Sequence, residues 1–230
     1  MHGLILAEFE SFVVSSLGRK AWARVMGAGV GQRRYQRDTT YPDAEVAVLL
    51  GTAARVGRVS PSTLLERFGE YLAAPLLSLL PGSLPSEWRT LDVLAHVDAG
   101  IHSILRQSDP ASNPPRLRCY AVYGSTAVIE YDSPRRLCAL AIGVARGIAK
   151  HFSEELEIEQ LRCMHRGADT CLLTFRVIGS PVRGAIESVK KTHSYVTQQV
   201  GTDSCTVLVA APGALEAASH PDPEIVSPPG

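Results

Sequence analysis

An α+β fold is predicted, with a helical first half and a second half organised around four antiparallel strands. Two observations carry the prediction. Up to Leu105, apolar residues recur at three- and four-residue steps, the period of helices packed on one face. After Asn113-Pro114-Pro115 the pattern changes to short β-prone runs divided by Gly-centred turns, with one helical stretch between two strand pairs.

In order, residues 3–30 read as mostly helical through Ile5, Phe9, Phe12, Val13, Leu17 and Trp22, and the polar, Gly-rich stretch from Gly27 to Asp43 reads as loop. A second helix covers 43–57. Ser60-Pro61 then offers an N-cap followed by proline at the first helical position. The run Leu64, Leu65, Phe68, Tyr71, Leu72 continues that helix until Pro75 kinks or ends it. Past the Pro81-to-Pro85 break, Leu91 to Leu105 carries Leu94, Val97, Ile101, Ile104 and Leu105. Leu117–Tyr123 and Thr126–Tyr131 form a hairpin about Gly124-Ser125, and Ser133-Pro134 opens a helix to about Phe152 by the same capping logic. Strands Leu156–Cys163 and Cys171–Ile178 follow, joined by a turn around Gly167-Ala168-Asp169.

The expected domain spans 1–180. Within an extension at 181–211, Ile186, Val189, His193, Val196 and Val200 cover only about two heptads, short of a coiled coil. That pattern suits an amphipathic helix packed on its own domain. Residues 212–230, rich in Pro, Ala and Ser, are expected to be disordered.

Composition narrows the function classes. The chain has 230 residues, 45% hydrophobic and 20% charged, with zero formal net charge. Neither nucleic acid nor an anionic membrane surface is an expected partner. No stretch approaches the roughly 18 apolar residues that would span a bilayer. Met1 to Leu6 is apolar but has no basic leader, and Glu8 and Glu10 follow, which does not read as a signal peptide. Five cysteines at wide spacing do not make a secreted disulfide framework, so a cytoplasmic protein with reduced thiols is expected.

Three features bear on chemistry. His102 flanks the apolar stripe of its helix, where a histidine taken alone is more often structural than a ligand. His96 lies about 120° away around the same helix and is expected to be solvated. Tyr131-x-Ser133-x-Arg135 offers two hydroxyl donors and a planar guanidinium fork, suited to a group bearing carboxylates. Each of the three also has an ordinary reading as strand end, helix cap or first-turn surface. Between the histidine and this motif stand Pro114-Pro115-Arg116-Leu117 and the hairpin.

That order resembles the haem-nitric oxide/oxygen-binding (H-NOX) family, which includes the haem domain of soluble guanylate cyclase. The resemblance covers residues 1–178, including the start Met1-His2-Gly3-Leu4-Ile5. It implies one haem b between the helical subdomain and the sheet, with His102 as the sole protein ligand to iron. Tyr131, Ser133 and Arg135 would bind the propionates, and Pro115 would press on the porphyrin. The implied function is a gas sensor: nitric oxide weakens the bond opposite it, His102 is released, and the helix bearing it moves. Oxygen-binding members place a tyrosine five residues after the motif arginine. Here that residue is Leu140, and Ile5, Phe9 and Val144 complete an apolar distal wall, so NO and CO are expected to bind and oxygen poorly.

The resemblance also bears on a second metal. Cys138, Cys163 and Cys171 are spaced like a structural zinc site found in some members. Where those members place a histidine this chain has Gln160, and His165 or His151 would have to substitute; buried free thiols are the alternative. No nucleotide loop, kinase motif or cyclase domain follows residue 180, so a non-enzymatic sensor is expected. Its output would pass to a histidine kinase, a cyclic-dinucleotide enzyme or a chemoreceptor. A haem peroxidase would need distal acid–base groups that cannot be placed here. A haem-free or zinc-stabilised interaction module of the same fold is the other class.

Overall fold

Gly18, with φ of 88°, divides the first helical stretch into α1 (Gly3–Leu17) and α2 (Arg19–Met26). Only glycine adopts that conformation without steric cost. The structure, a computed structural model, describes residues 1–28, 34–79 and 84–179, so the segments expected at 181–211 and 212–230 lie outside it. Two further helices complete the N-terminal half, α3 (Asp43–Gly57) and α4 (Pro61–Leu77). Ser60 caps α4 by accepting the Thr63 N–H at 3.1 Å. Pro75 does not end α4, which runs two residues further and so absorbs the proline within its last turn. The predicted loop before α3 is irregular, yet its Tyr35 and Tyr41 are buried and stack edge-on with centroids 4.8 Å apart. An aromatic cluster binds α1, α2 and α4. Phe9 meets Phe68 at 5.0 Å and Trp22 at 6.2 Å, both edge-on, a geometry favoured by the ring quadrupoles.

The single helix expected over 91–105 is three pieces: α5 (Thr90–Val97), a π-helical turn at Asp98–His102, and α6 (Ser103–Ser108). Hydrophobic period alone does not reveal this, because a π-turn shifts the hydrogen bonds by one residue without removing the apolar stripe.

The second half matches the predicted class. Strands β1 (Arg116–Tyr123), β2 (Thr126–Asp132), β3 (Glu155–Arg162) and β4 (Cys171–Ile178) form one antiparallel sheet in the order β1-β2-β4-β3. Both edge strands carry a register shift, at Tyr120 in β1 and Leu161 in β3, and both residues are exposed. Such bulges twist an edge away from further strand pairing. Helix α7 (Cys138–His151) covers the inner face.

Helix α7 begins later than Ser133-Pro134 suggests. The Ser133 hydroxyl instead accepts the Arg135 N–H at 3.3 Å, Arg136 takes a left-handed φ of 52°, and His165 Nε2 donates to the Arg136 carbonyl at 2.7 Å. A local side-chain turn has displaced the cap.

Two cores result. One fills the helical half around Phe9, Val13, Leu49 and Phe68; the other lies between sheet and α7 around Ile129, Ile148, Leu173 and Phe175.

Candidate functional site

Where the two cores meet, an apolar cavity of about 400 Å³ opens. This is within the range of small-molecule and cofactor sites. The π-turn and α6 form one wall, contributing Ile101, His102 and Leu105; α7 forms the opposite wall with Leu140 and Val144. Ile129, Leu173 and Phe175 of the sheet close the floor, while Leu4 and Ile5 of α1 reach in from the helical half.

The polar residues picked out by sequence converge on this cavity. His102, Pro115, Tyr131, Ser133 and Arg135 all line it, as do Ile5, Leu140 and Val144. Phe9 does not. It is 1% exposed inside the helical core against Phe68 and Trp22, and borders a separate cavity of about 10 Å³ that it shares with Ile5 and Leu140.

Tyr131 is buried at the inner side of β2, and burial pushes its phenol up to about 12, against the contacts from the Ser133 hydroxyl and the Leu137 backbone. Arg135 is drawn in by Asp43, whose Oδ1 accepts from Nε at 2.6 Å, and by the carbonyls of Asn113 and Ser112, the latter at 2.9 Å from Nη2. A guanidinium has five N–H donors. Three are engaged, so two remain for a carboxylate in the cavity. Burial would raise the Asp43 carboxyl, but Arg135 and the Met1 amino group hold it below the usual range.

Among the polar side chains lining the cavity, His102 has a buried atom without a hydrogen-bond partner. This atom, Nδ1, stands 3.4 Å from Asp98 Oδ1, within electrostatic reach but outside hydrogen-bond geometry. Asp98 is firmly held. Arg106 grips both its oxygens, at 2.8 and 3.2 Å, and the Leu117 N–H donates to Oδ1 at 3.1 Å. Burial would raise this carboxyl, yet His102, Arg106 and Leu117 together bring it down to about 2. Sequence reasoning missed Asp98, Arg106 and Asp43. The steps 98, 102 and 106 were visible as a four-residue pattern, whereas nothing local links Asp43 to Arg135. His96 is not free in solvent: it stacks on Trp88 at 4.6 Å and its Nδ1 is 2.7 Å from the Asp92 carbonyl.

These residues fit a largely apolar group bearing carboxylates, since the lining is mostly apolar and carries hydroxyl and guanidinium donors and one imidazole. That is the donor set of a haem held by one histidine.

A second constellation sits at the start of α7 and the β3–β4 connection. The sulfurs of Cys138, Cys163 and Cys171 lie within 4.8 Å of one another, and all three residues are buried. Burial pushes the Cys171 thiol up to about 12; at Cys163 burial is outweighed by the His165 backbone N–H and the neighbouring thiols, which lower it. Among the described residues no histidine joins this group. His165 is committed to the Arg136 carbonyl and His151 packs edge-on against Phe152 at 5.0 Å. Gln160, on β3, has a buried amide nitrogen without a partner.

Residues 2–160 match the sequence profile of the Haem-NO-binding family. Among solved structures, an H-NOX protein from S. oneidensis in the Fe(II) state (a triple mutant) is 24% identical with a TM-score of 0.71, covering 77% of this chain and 96% of that one. A second structure from S. oneidensis, in the Fe(II)NO state, gives 24%, 0.70, 77% and 99%. The unliganded Fe(II) H-NOX protein from K. algicida gives 20%, 0.67, 77% and 96%. At these identities the structural matches establish the fold. No curated protein matches the chain. No helix among the described residues is long and apolar enough to cross a membrane.

Proposed function

Since the chain belongs to the Haem-NO-binding family, a family of sensor domains rather than enzymes, we propose that it is a haem-based gas sensor that binds nitric oxide and carbon monoxide, and oxygen poorly. One observation carries the reading. His102 lines the same apolar cavity as Tyr131, Ser133 and Arg135. His102 would hold the iron, and Tyr131, Ser133 and the free N–H bonds of Arg135 would hold the carboxylates. Bound haem supplies an iron with one open position for a diatomic gas.

The chain's own residues do the rest. Leu140, Val144 and Ile5 present no hydrogen-bond donor to the cavity, so a polarised ligand such as oxygen gains nothing from this wall. Pro115, just before β1, lines the same cavity and would pack against a ring seated there. The switching element is the segment 98–108, which His102 anchors and which contains no fully buried residue. Its release would be the signal passed to a partner protein such as a histidine kinase, a cyclic-dinucleotide enzyme or a chemoreceptor, in the cytoplasm. Residues 1–180 would form the sensing domain, and 181–230 an extension to it.

The test is an absorption spectrum of the purified ferrous protein in air and with NO, together with His102→Ala. A haem band that is lost or shifted in the variant, with no persistent oxygen complex in the native chain, supports the reading. A chain that takes up no haem when supplied with it would instead favour an interaction module of the same fold.

The thiol group favours a second, structural role. Three thiolates in mutual reach suit zinc, and we propose that Cys138, Cys163 and Cys171 bind it. Metal analysis of the purified protein, repeated on Cys163→Ser, checks this: about one zinc per chain, lost in the variant, is expected.

A further inference from the structure

His102 sits in a turn that is itself tied down by a group outside the cavity. Ser103 N–H reaches back to the Asp98 carbonyl in the π pattern, so Asp98 begins the turn that His102 ends. The Asp98 side chain leaves the helix and is clamped from three places: bidentately by Arg106, by the Leu117 N–H at the start of β1, and electrostatically by His102 Nδ1 at 3.4 Å. Arg106 also donates to the Pro115 carbonyl at 3.3 Å. One carboxylate thus connects the imidazole, α6, Pro115 and β1.

We propose that Asp98 is the positioning residue for His102, and that it links movement of this histidine to Pro115 and β1. This rests on the reading of His102 as the iron ligand. An imidazole that ligates through one nitrogen carries its proton on the other. Nδ1 is buried and faces Asp98 at 3.4 Å, which leaves Nε2 as the nitrogen that would ligate, and Nδ1–H as a donor that a small rotation of the ring would bring into hydrogen-bond geometry with this carboxylate. The carboxylate has lone pairs to spare for it, since ionised oxygens accept at about four sites. An anionic acceptor makes the imidazole a stronger electron donor and fixes its plane. Arg106 draws on the same carboxylate and moderates that effect. The clamp keeps Asp98 in place, so any movement of the His102 ring would pull against β1 or break its contact with Asp98.

Two variants with opposite expected signs test the proposal. In Asp98→Asn the acceptor keeps its shape but loses its charge. In Arg106→Gln the carboxylate remains and loses its competitor. The readout is the iron–histidine stretching frequency of the ferrous, ligand-free holoprotein by resonance Raman, with haem content and thermal unfolding measured alongside. Asp98→Asn should lower the frequency and speed haem loss about tenfold, the scale of losses when a ligand's outer partner is removed. Arg106→Gln should raise the frequency. A general weakening of the fold would move both in the same direction, so that result overturns the proposal, as does an unmoved frequency in Asp98→Asn. If instead the native chain shows no iron–histidine band, or His102→Ala retains it, the assignment of His102 fails and the role of Asp98 fails with it.

Discussion

The two walls of the cavity are built on opposite principles. Helices α4 and α7 meet backbone to backbone through glycines. A Cβ on Gly69 would lie 2.4 Å from the Leu140 carbonyl oxygen, and one on Gly143 would lie 2.1 Å from that of Glu66. Ion pairs from Glu66 to Arg146 and from Glu70 to Lys150 brace the same contact. Across the cavity, the π-turn and α6 contain no buried residue, Ile104 is 53% exposed, and a Cβ on Gly100 would meet nothing within 4 Å. Close-packed interiors resist small displacements, whereas segments with few buried contacts open at low cost. One wall therefore sets the cavity's shape, and the wall bearing His102, held by the polar clamp on Asp98 rather than by buried packing, is the one that moves at lower cost.

Four perturbations would break or sharpen this contrast. The largest effect is expected on the fixed side. Phe9→Ala should cost about 3–5 kcal/mol in urea unfolding, as for large aromatic deletions in a core. Because Phe9 does not line the cavity, the fraction that remains folded should still take up haem; a selective loss of haem would bring Phe9 back into the site. Gly143→Ala should cost about 3 kcal/mol in the same measurement, since the obstructing atom is backbone and cannot step aside. A neutral result would mean that α4 and α7 slide readily and that the contrast is false.

Tyr131 tests the sheet side through pH. Its folded value, about 12, lies above the ordinary 10, so the neutral phenol favours the fold. That contribution, about 3 kcal/mol, is fully present below pH 10 and is lost as pH rises through 12. Stability measured across this window should fall in the native chain and fall less in Tyr131→Phe. The smallest change is expected on the mobile wall. Gly100→Ala, in open space, should stabilise by about 0.5–1 kcal/mol through reduced chain entropy. A loss of several kcal/mol there would show that the π-turn is as constrained as α7.

How much could be read in advance differs by element. Helix α3 and strand β4 have the predicted bounds, because an apolar period and a clear break at each end are local properties. The segment 91–105 was recognisable as helix, but its π-turn was not, since the apolar stripe survives a one-residue shift of hydrogen bonds. Ser133 read as a cap, yet a contact from His165, 29 residues from Arg136, helps to set a different turn. Phe9 illustrates a further gap: periodicity says that it is buried, not in which of two cores.

For the candidate site, residue types were legible and their partners were not. His102, Pro115 and the Tyr131-x-Ser133-x-Arg135 motif announce themselves by chemistry and order along the chain. That they line one cavity follows only from packing the sheet and α7 against the helical half. The pairing of Arg135 with Asp43 spans 92 residues, and the clamp on Asp98 depends on where β1 begins.

By itself the sequence determined which stretches are helix or strand, which side chains could bind a ring with carboxylate arms, and that the net charge is zero. These depend on neighbours a few residues apart. The tertiary structure decided which helix contact is rigid, which nitrogen of His102 is buried, and which carboxylate stands behind it. Those are matters of distance between segments remote in the chain, set by burial and close packing.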